Sequence, residues 1–413
     1  LLFRRSTALL LAVVLAPAAG CGNLFSHWSS DAGSPPGPDA AQPGDSGHAV
    51  DAGADAGSNG SDGGDTLDSG SPIDSGSTDA GSPSDSGTPD DAGALGDGGS
   101  FSWGTNLAGS GDYTYAALAA FAEDDAYLGG TNAAISYLFH WDGQHVTPFA
   151  LIPSANFVTA LWVSPGGAVF AGEANLVFQC LSNCSDAGSY TEVSVDSSGV
   201  DQVAGLCGSS SAVYAVGFNG GTSGLLWQWM GSQWELLNAD SGVARFMACW
   251  VAPDGSIYAG GQPSIVQFAP GAVSWSIEGP SVAQLGGAEF QFRGITGAAG
   301  LTIGVGDDKT VAVQQTDGGW SVPLQMVGGG AFDGIATVAP NEAYAVGLVC
   351  PSCANSPQDL GHGFQGSWSL QDLPLLIDVH GIWPVDANTL LVAGQQRNSS
   401  GGVDGAALFV GRR

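Results

Sequence analysis

The sequence predicts an all-β fold, a seven-bladed β-propeller of four-stranded antiparallel blades over residues 101–413. Two observations carry the prediction. The stretch 203–237 reads as four short strands, VAGLC, AVYAVG, GLLWQWM and QWELL, in which β-branched, aromatic and small residues are punctuated by Gly and Ser turn signals. Approximate copies recur at blade length: a large residue stands three positions before a fixed site at Tyr127, Phe170, Tyr214, Tyr258, Ile303, Tyr344 and Leu391, at intervals of 41 to 47 residues. A lone four-stranded meander has two faces and two open edges, so its apolar residues are buried only when copies stack around an axis.

Each copy is built alike. The second strand ends on glycine in six copies, at Gly130, Gly217, Gly261, Gly306, Gly347 and Gly394, with Glu173 in the second copy. Glycine there permits a positive φ or a close backbone approach. Met230-Gly231-Ser232-Gln233 joins the last two strands as a tight hairpin. The fourth strand carries an aromatic residue or histidine at His145, Tyr190, Trp234, Trp275, Trp320 and Trp368. The seventh copy runs to Arg413 without that marker, whereas Phe101-Ser102-Trp103-Gly104 resembles Gly366-Ser367-Trp368-Ser369. The segment 101–107 is therefore expected to supply the outermost strand of the last blade, closing the ring and removing its free edges.

Ahead of the propeller, Arg4 and Arg5, an apolar run and small residues before Cys21 read as a secretory signal over residues 1–20. The run is too short to span a membrane. Residues 22–100 are rich in Asp, Gly, Ser, Ala and Pro, with 14 Asp and no Lys or Arg. Such a segment has too little apolar surface to offset the entropy of ordering, so residues 21–100 are expected to be a disordered tether with a reach on the order of 50 Å. Its aspartates lack the alternate-position spacing of a calcium loop.

Charge and cysteines narrow the function. The chain carries 8 basic and 39 acidic residues, a formal net charge of -31. A surface this acidic repels phosphate backbones, and no nucleic-acid partner is expected. Apart from Cys21, six cysteines pair plausibly as structural disulfides of an exported protein. Cys180 with Cys184 and Cys350 with Cys353 would be local staples in insertions after the second strand of their blades. Cys207 with Cys249 would clip two neighbouring innermost strands together. Cys350-Pro-Ser-Cys353 lacks the helix N-terminus that makes such a pair redox-active. No cluster has metal-ligand spacing, so neither a metal nor a cofactor is expected.

Ala18-Ala19-Gly20-Cys21 resembles a bacterial lipobox, which implies lipid attachment at Cys21 and a membrane as partner. The Gly-ended second strand, its Tyr and the fourth-strand Trp look like Kelch-type blades, with the glycine doublet at Gly129-Gly130 and Gly260-Gly261. Ala212-Val213-Tyr214-Ala215-Val216-Gly217, followed by Gln228-Trp229 and Gln233-Trp234, together with Trp141-Asp142-Gly143, resembles the repeats of bacterial, especially myxobacterial, surface lipoproteins with Asp/Gly/Ser-rich stalks. The resemblance covers nearly the whole chain. It implies a propeller held at the cell envelope, on the outer membrane, and implies no particular activity.

Two functions remain. Two residues before the aligned apolar position of each first strand stand Ala116, Thr159, Ala204, Met247, Arg293, Asp333 and His380. Propellers hold ligands near the axis, and there three adjacent blades offer Arg293, Asp333 and His380. Such a mouth suits an anionic small molecule, or makes His380 a base oriented by Asp333. The competing reading is an ion pair that merely closes the channel. The fourth-strand Trp series recurs at the structural period and reads as blade packing. The expected function is a non-catalytic surface module that binds an unidentified protein or glycan on a propeller face. The alternative, a hydrolase or lyase at the channel mouth, is the less favoured. Loops 355–363 and 180–189 are expected to touch a partner.

Overall fold

The computed structural model describes residues 101–413 except the short segments 105–106, 109–112, 133–134, 153–156, 186–188, 197–200, 221–222, 239–241, 299, 350–357, 374–375 and 398–402. The expected signal, Cys21, the tether, Cys350 and Cys353 lie outside the described residues. Seven antiparallel sheets follow one another along the chain, six of them over 113–152, 160–194, 201–238, 245–277, 292–324 and 330–373. The seventh is formed by 376–412 with the start of the domain. The first strand of each sheet touches the first strand of the next, and the seventh touches the first, so these strands form the inner ring. Blades 6 and 7 are joined at one strand pairing, Leu348 opposite Asp378.

The ring closes as the sequence predicts. Ser102 and Trp103 pair with Arg412 and Gly411, and Leu107 and Ala108 pair with Leu408 and Ala407 on strand Val403–Arg412. Phe101 is 8% exposed and sits edge-on to Tyr344 of blade 6 at 5.2 Å. The Arg413 guanidinium lies 4.4 Å over the Phe101 ring and donates to Glu342, while Arg412 pairs with Glu123 of blade 1. Both ends of the domain are thus fastened to neighbouring blades.

The two sequence markers meet across the blade boundaries. The large second-strand residue of one blade shares a hydrophobic cluster with the fourth-strand marker of the next. These pairs are Tyr127 with Tyr190, Phe170 with Trp234, Tyr214 with Trp275, Tyr258 with Trp320, Ile303 with Trp368 and Tyr344 with Trp103. At the last boundary Leu391 meets Val146, the neighbour of His145. Two repeats counted separately along the chain therefore contribute to one shared cluster at six of the boundaries, and Trp103 takes the seventh place in its series.

The fixed glycine answers to close approach and not to a positive φ. None of the six has φ above zero. A Cβ at Gly217, Gly261, Gly306 or Gly347 would collide with the carbonyl of Gln202, Arg245, Gln291 or Ala331, on or immediately before the first strand of the same blade, and at Gly130 it would come within 2.5 Å of the Thr114 carbonyl. Blade 2 escapes the constraint. Its first strand begins only at Ala160, and Phe157, which stands where Gln202 stands in blade 3, is 37% exposed. The strand that supplies the excluding carbonyl elsewhere thus starts later in this blade, where Glu173 takes the glycine's place.

Cys180–Cys184 and Cys207–Cys249 form disulfides, with Cα separations of 5.5 and 5.7 Å. The first lies after the third strand of its blade, Leu176–Cys180, and not after the second as expected. The hairpin turn Ala174-Asn175 is so short that the third strand falls where the sequence suggests an insertion. The second clips blades 3 and 4; closing a loop of that length is worth about 4 kcal/mol in the chain-entropy picture. A further correction concerns the expected loop 355–363, because Gln358–Phe364 is the third strand of blade 6, paired along its length with Ser367–Leu373.

Candidate functional site

One local motif positions the axial residues. On or just before each first strand a large buried residue, a middle residue and a small residue follow in order: Tyr115-Ala116-Ala117, Val158-Thr159-Ala160, Val203-Ala204-Gly205, Phe246-Met247-Ala248, Phe292-Arg293-Gly294, Phe332-Asp333-Gly334 and Val379-His380-Gly381. The leading residues are all at most 3% exposed and anchor the strand. In six blades the middle residue is a β-bulge, skipped by the register between its neighbours. A bulged residue leaves the ladder and its side chain is re-aimed, here away from the sheet interfaces. The small residue follows because the next blade's first strand comes close. A Cβ on Gly205 would sit 2.9 Å from the Ala248 Cα, and one on Gly334 3.1 Å from the His380 carbonyl. The large-middle-small order is visible in the sequence, but the strand parity that repeat alignment leaves open is resolved only by the bulge.

The bulges bring Arg293, Asp333 and His380 together. Arg293 Nε donates to Asp307 Oδ1 at 2.9 Å, and its Nη1 donates to Asp333 Oδ1 at 3.3 Å. Asp333 Oδ2 lies 3.3 Å from His380 Nδ1, within ion-pair distance yet outside hydrogen-bond geometry, so the contact is electrostatic and depends on imidazole protonation. Side-chain exposure is 7% for Arg293, 11% for Asp333 and 18% for His380. Asp307, at the end of the second strand of blade 5, is the partner that repeat alignment misses. One guanidinium is bracketed by two carboxylates, so with neutral imidazole this group carries an excess negative charge. An anionic ligand, which the sequence suggests for this mouth, is not favoured by that arrangement.

Two further polar clusters hold second and third strands together. In blade 1 His140 Nε2 lies 2.8 Å from Asp125 Oδ1, with Tyr127 beside the imidazole. In blade 6 Glu342 Oε1 accepts from Tyr344 at 2.7 Å and lies 2.9 Å from His362 Nε2, whose ring stacks on Tyr344 at 4.5 Å. Burial alone would raise the Glu342 pKa, but bonds from Tyr344, Arg413 and His362 outweigh it and hold the carboxylate below its usual range. An acid two residues before the counted tyrosine, with histidine opposite on the third strand, was the available signal.

Glu173 is a different case. It is 0% exposed, and neither carboxylate oxygen has a hydrogen-bond partner among the described residues. Burial pushes its pKa up to about 7, with Glu192 adding repulsion.

No family model matches the chain, and no curated protein matches it. Solved structures do. YCF48 bound to D1 peptide is 14% identical with a TM-score of 0.53, over 74% of this chain and 96% of that one. Virginiamycin B lyase from Staphylococcus aureus is 13% identical with a TM-score of 0.56, over 76% and 99%. The WD40 repeats of RRP9 are 12% identical with a TM-score of 0.56, over 75% and 97%. The likeness is one of fold. A peptide binder and a lyase share it, so the function rests on the residues of this chain.

Proposed function

We propose that this protein is a non-catalytic binding module whose propeller engages a protein partner on one face, held from a bacterial envelope membrane by its Asp/Gly/Ser-rich segment and a lipid on Cys21. The observation that carries the binding reading is the bracketing of Arg293 by Asp307 and Asp333. The cation that an enzyme would aim at an anionic substrate is already neutralised, and the channel mouth serves as a polar lock between blades 5, 6 and 7. A peptide-bound propeller among the structural neighbours is in keeping with protein recognition on this fold. Envelope display rests on the resemblances to a lipobox and to bacterial surface lipoproteins, and the two disulfides suit an oxidising compartment.

A specific observation favours a second reading. His380 stands beside Asp333 as a base beside its orienting acid, the arrangement a hydrolase or lyase would use. One experiment separates the two. Full-length protein is incubated with detergent-solubilised envelope proteins from its source, and both capture and chemical change of the captured partner are measured. Saturable capture of an unaltered partner, retained in His380→Ala, is the expected result. Cleavage or elimination in the partner that disappears in His380→Ala would replace the binding reading with the catalytic one. For display, Cys21→Ala is expected to move the protein from the membrane pellet to the soluble fraction; an unchanged pellet fraction would remove the lipid from the proposal.

A further inference from the structure

Blade boundaries 1–2, 2–3, 3–4, 4–5 and 6–7 each place a six-membered ring of the second strand in the shared cluster, from Tyr127, Phe170, Tyr214, Tyr258 and Tyr344. At the boundary of blades 5 and 6 the corresponding residue is Ile303. A groove of about 370 Å³ opens there, between Ile303 and Trp368, within the ~300–1,000 Å³ range of small-molecule sites. Trp368 is half-buried and packs its indole on the backbone of Gly363, which fixes the ring plane.

The rim is polar and carries no cation. Gln315 commits its Nε2 to Ser321 Oγ and the Val313 carbonyl, leaving Oε1 as an acceptor. Asn341 and Gln365 add side-chain amides that make no hydrogen bond among the described residues. Amides supply donors and acceptors together, which matches vicinal hydroxyl groups. An aromatic face offers a stacking surface to the apolar C–H face of a six-membered sugar ring. Glu342 also borders the groove, but its carboxylate is held by Tyr344, His362 and Arg413. With no lining cation and a chain net charge of -31, the groove complements an uncharged ligand and disfavours an anionic one.

We infer that this groove is a binding site for a neutral saccharide, whose pyranose ring stacks on Trp368 in the place that a tyrosine or phenylalanine ring occupies at five of the other blade boundaries, the sixth having Leu391. The site is separate from the channel mouth, so its failure leaves the proposed function untouched.

The test uses the full chain and an array of neutral hexose and N-acetylhexosamine oligosaccharides. Binding by the parent is expected, unaffected by 1 M NaCl, and at least tenfold weaker in Trp368→Ala. Ile303→Tyr restores the repeat ring and should abolish binding by filling the groove, without lowering the unfolding temperature; it guards against a Trp368 variant that merely misfolds. No binding to any array member at millimolar sugar overturns the inference, as does binding that survives in folded Ile303→Tyr. Displacement of the sugar probes is expected from free sugar; tighter occupancy of the same groove by an aromatic peptide side chain, lost in Ile303→Tyr, would reassign it to peptide.

Discussion

Phe101→Ala is expected to cost about 4 kcal/mol of unfolding free energy, the usual size for truncating a buried aromatic, although the residue stands at the very start of the domain. Phe101 holds the closing segment by its edge-on contact with Tyr344, and it underlies the Arg413 guanidinium. Among the described residues Ser102, Trp103, Leu107 and Ala108 pair with the last strand and the Gly104 amide donates to the Val410 carbonyl, too few to stay bound by ladder hydrogen bonds alone. Releasing them leaves Val403–Arg412 as an open edge whose residues from Ala406 to Val410 are buried in the closed ring. Open apolar edges recruit other chains. Urea unfolding should therefore show a lowered midpoint, and size-exclusion chromatography should show self-association that grows with concentration. A loss below about 1 kcal/mol with a strictly monomeric variant would mean that the ring does not depend on its clasp.

The second large effect is a pH dependence at Glu173. Its folded pKa is pushed up to about 7 from an ordinary 4.5. The folded state thus holds a proton that the unfolded chain gives up near pH 4.5. Favourable stability is fully present below that pH and is lost as pH rises through about 7. The difference corresponds to about 3 kcal/mol. Glu173→Gln keeps the shape and cannot ionise. Relative to the parent, the variant should gain about 3 kcal/mol between pH 4 and pH 8, read from paired urea titrations, whatever the remaining carboxylates contribute to both proteins. A parent-to-variant difference that stays level across that range would show that the carboxylate finds a partner or water when ionised.

The repeat itself settles much of this molecule. Blade number, strand count, ring closure and two of the disulfides follow from Tyr127 and its six equivalents, the Trp series and cysteine positions, because a four-stranded unit that cannot bury both faces has few ways to assemble. The sequence also names Arg293, Asp333 and His380 as equivalent positions. It does not settle which way they point, because side chains alternate along a regular strand and one extra residue reverses the parity. The bulge decides that. Nor does it supply Asp307, which joins Arg293 from a second strand and turns a cationic mouth into a compensated one. The groove beside Trp368 and the isolation of Glu173 are likewise tertiary facts. A missing ring at Ile303 is visible in the alignment of repeats, but whether a neighbour fills the space depends on packing between blades. Local pattern determines which residues face a boundary; only the folded ring determines what stands on its other side, since those contacts join segments far apart in the chain.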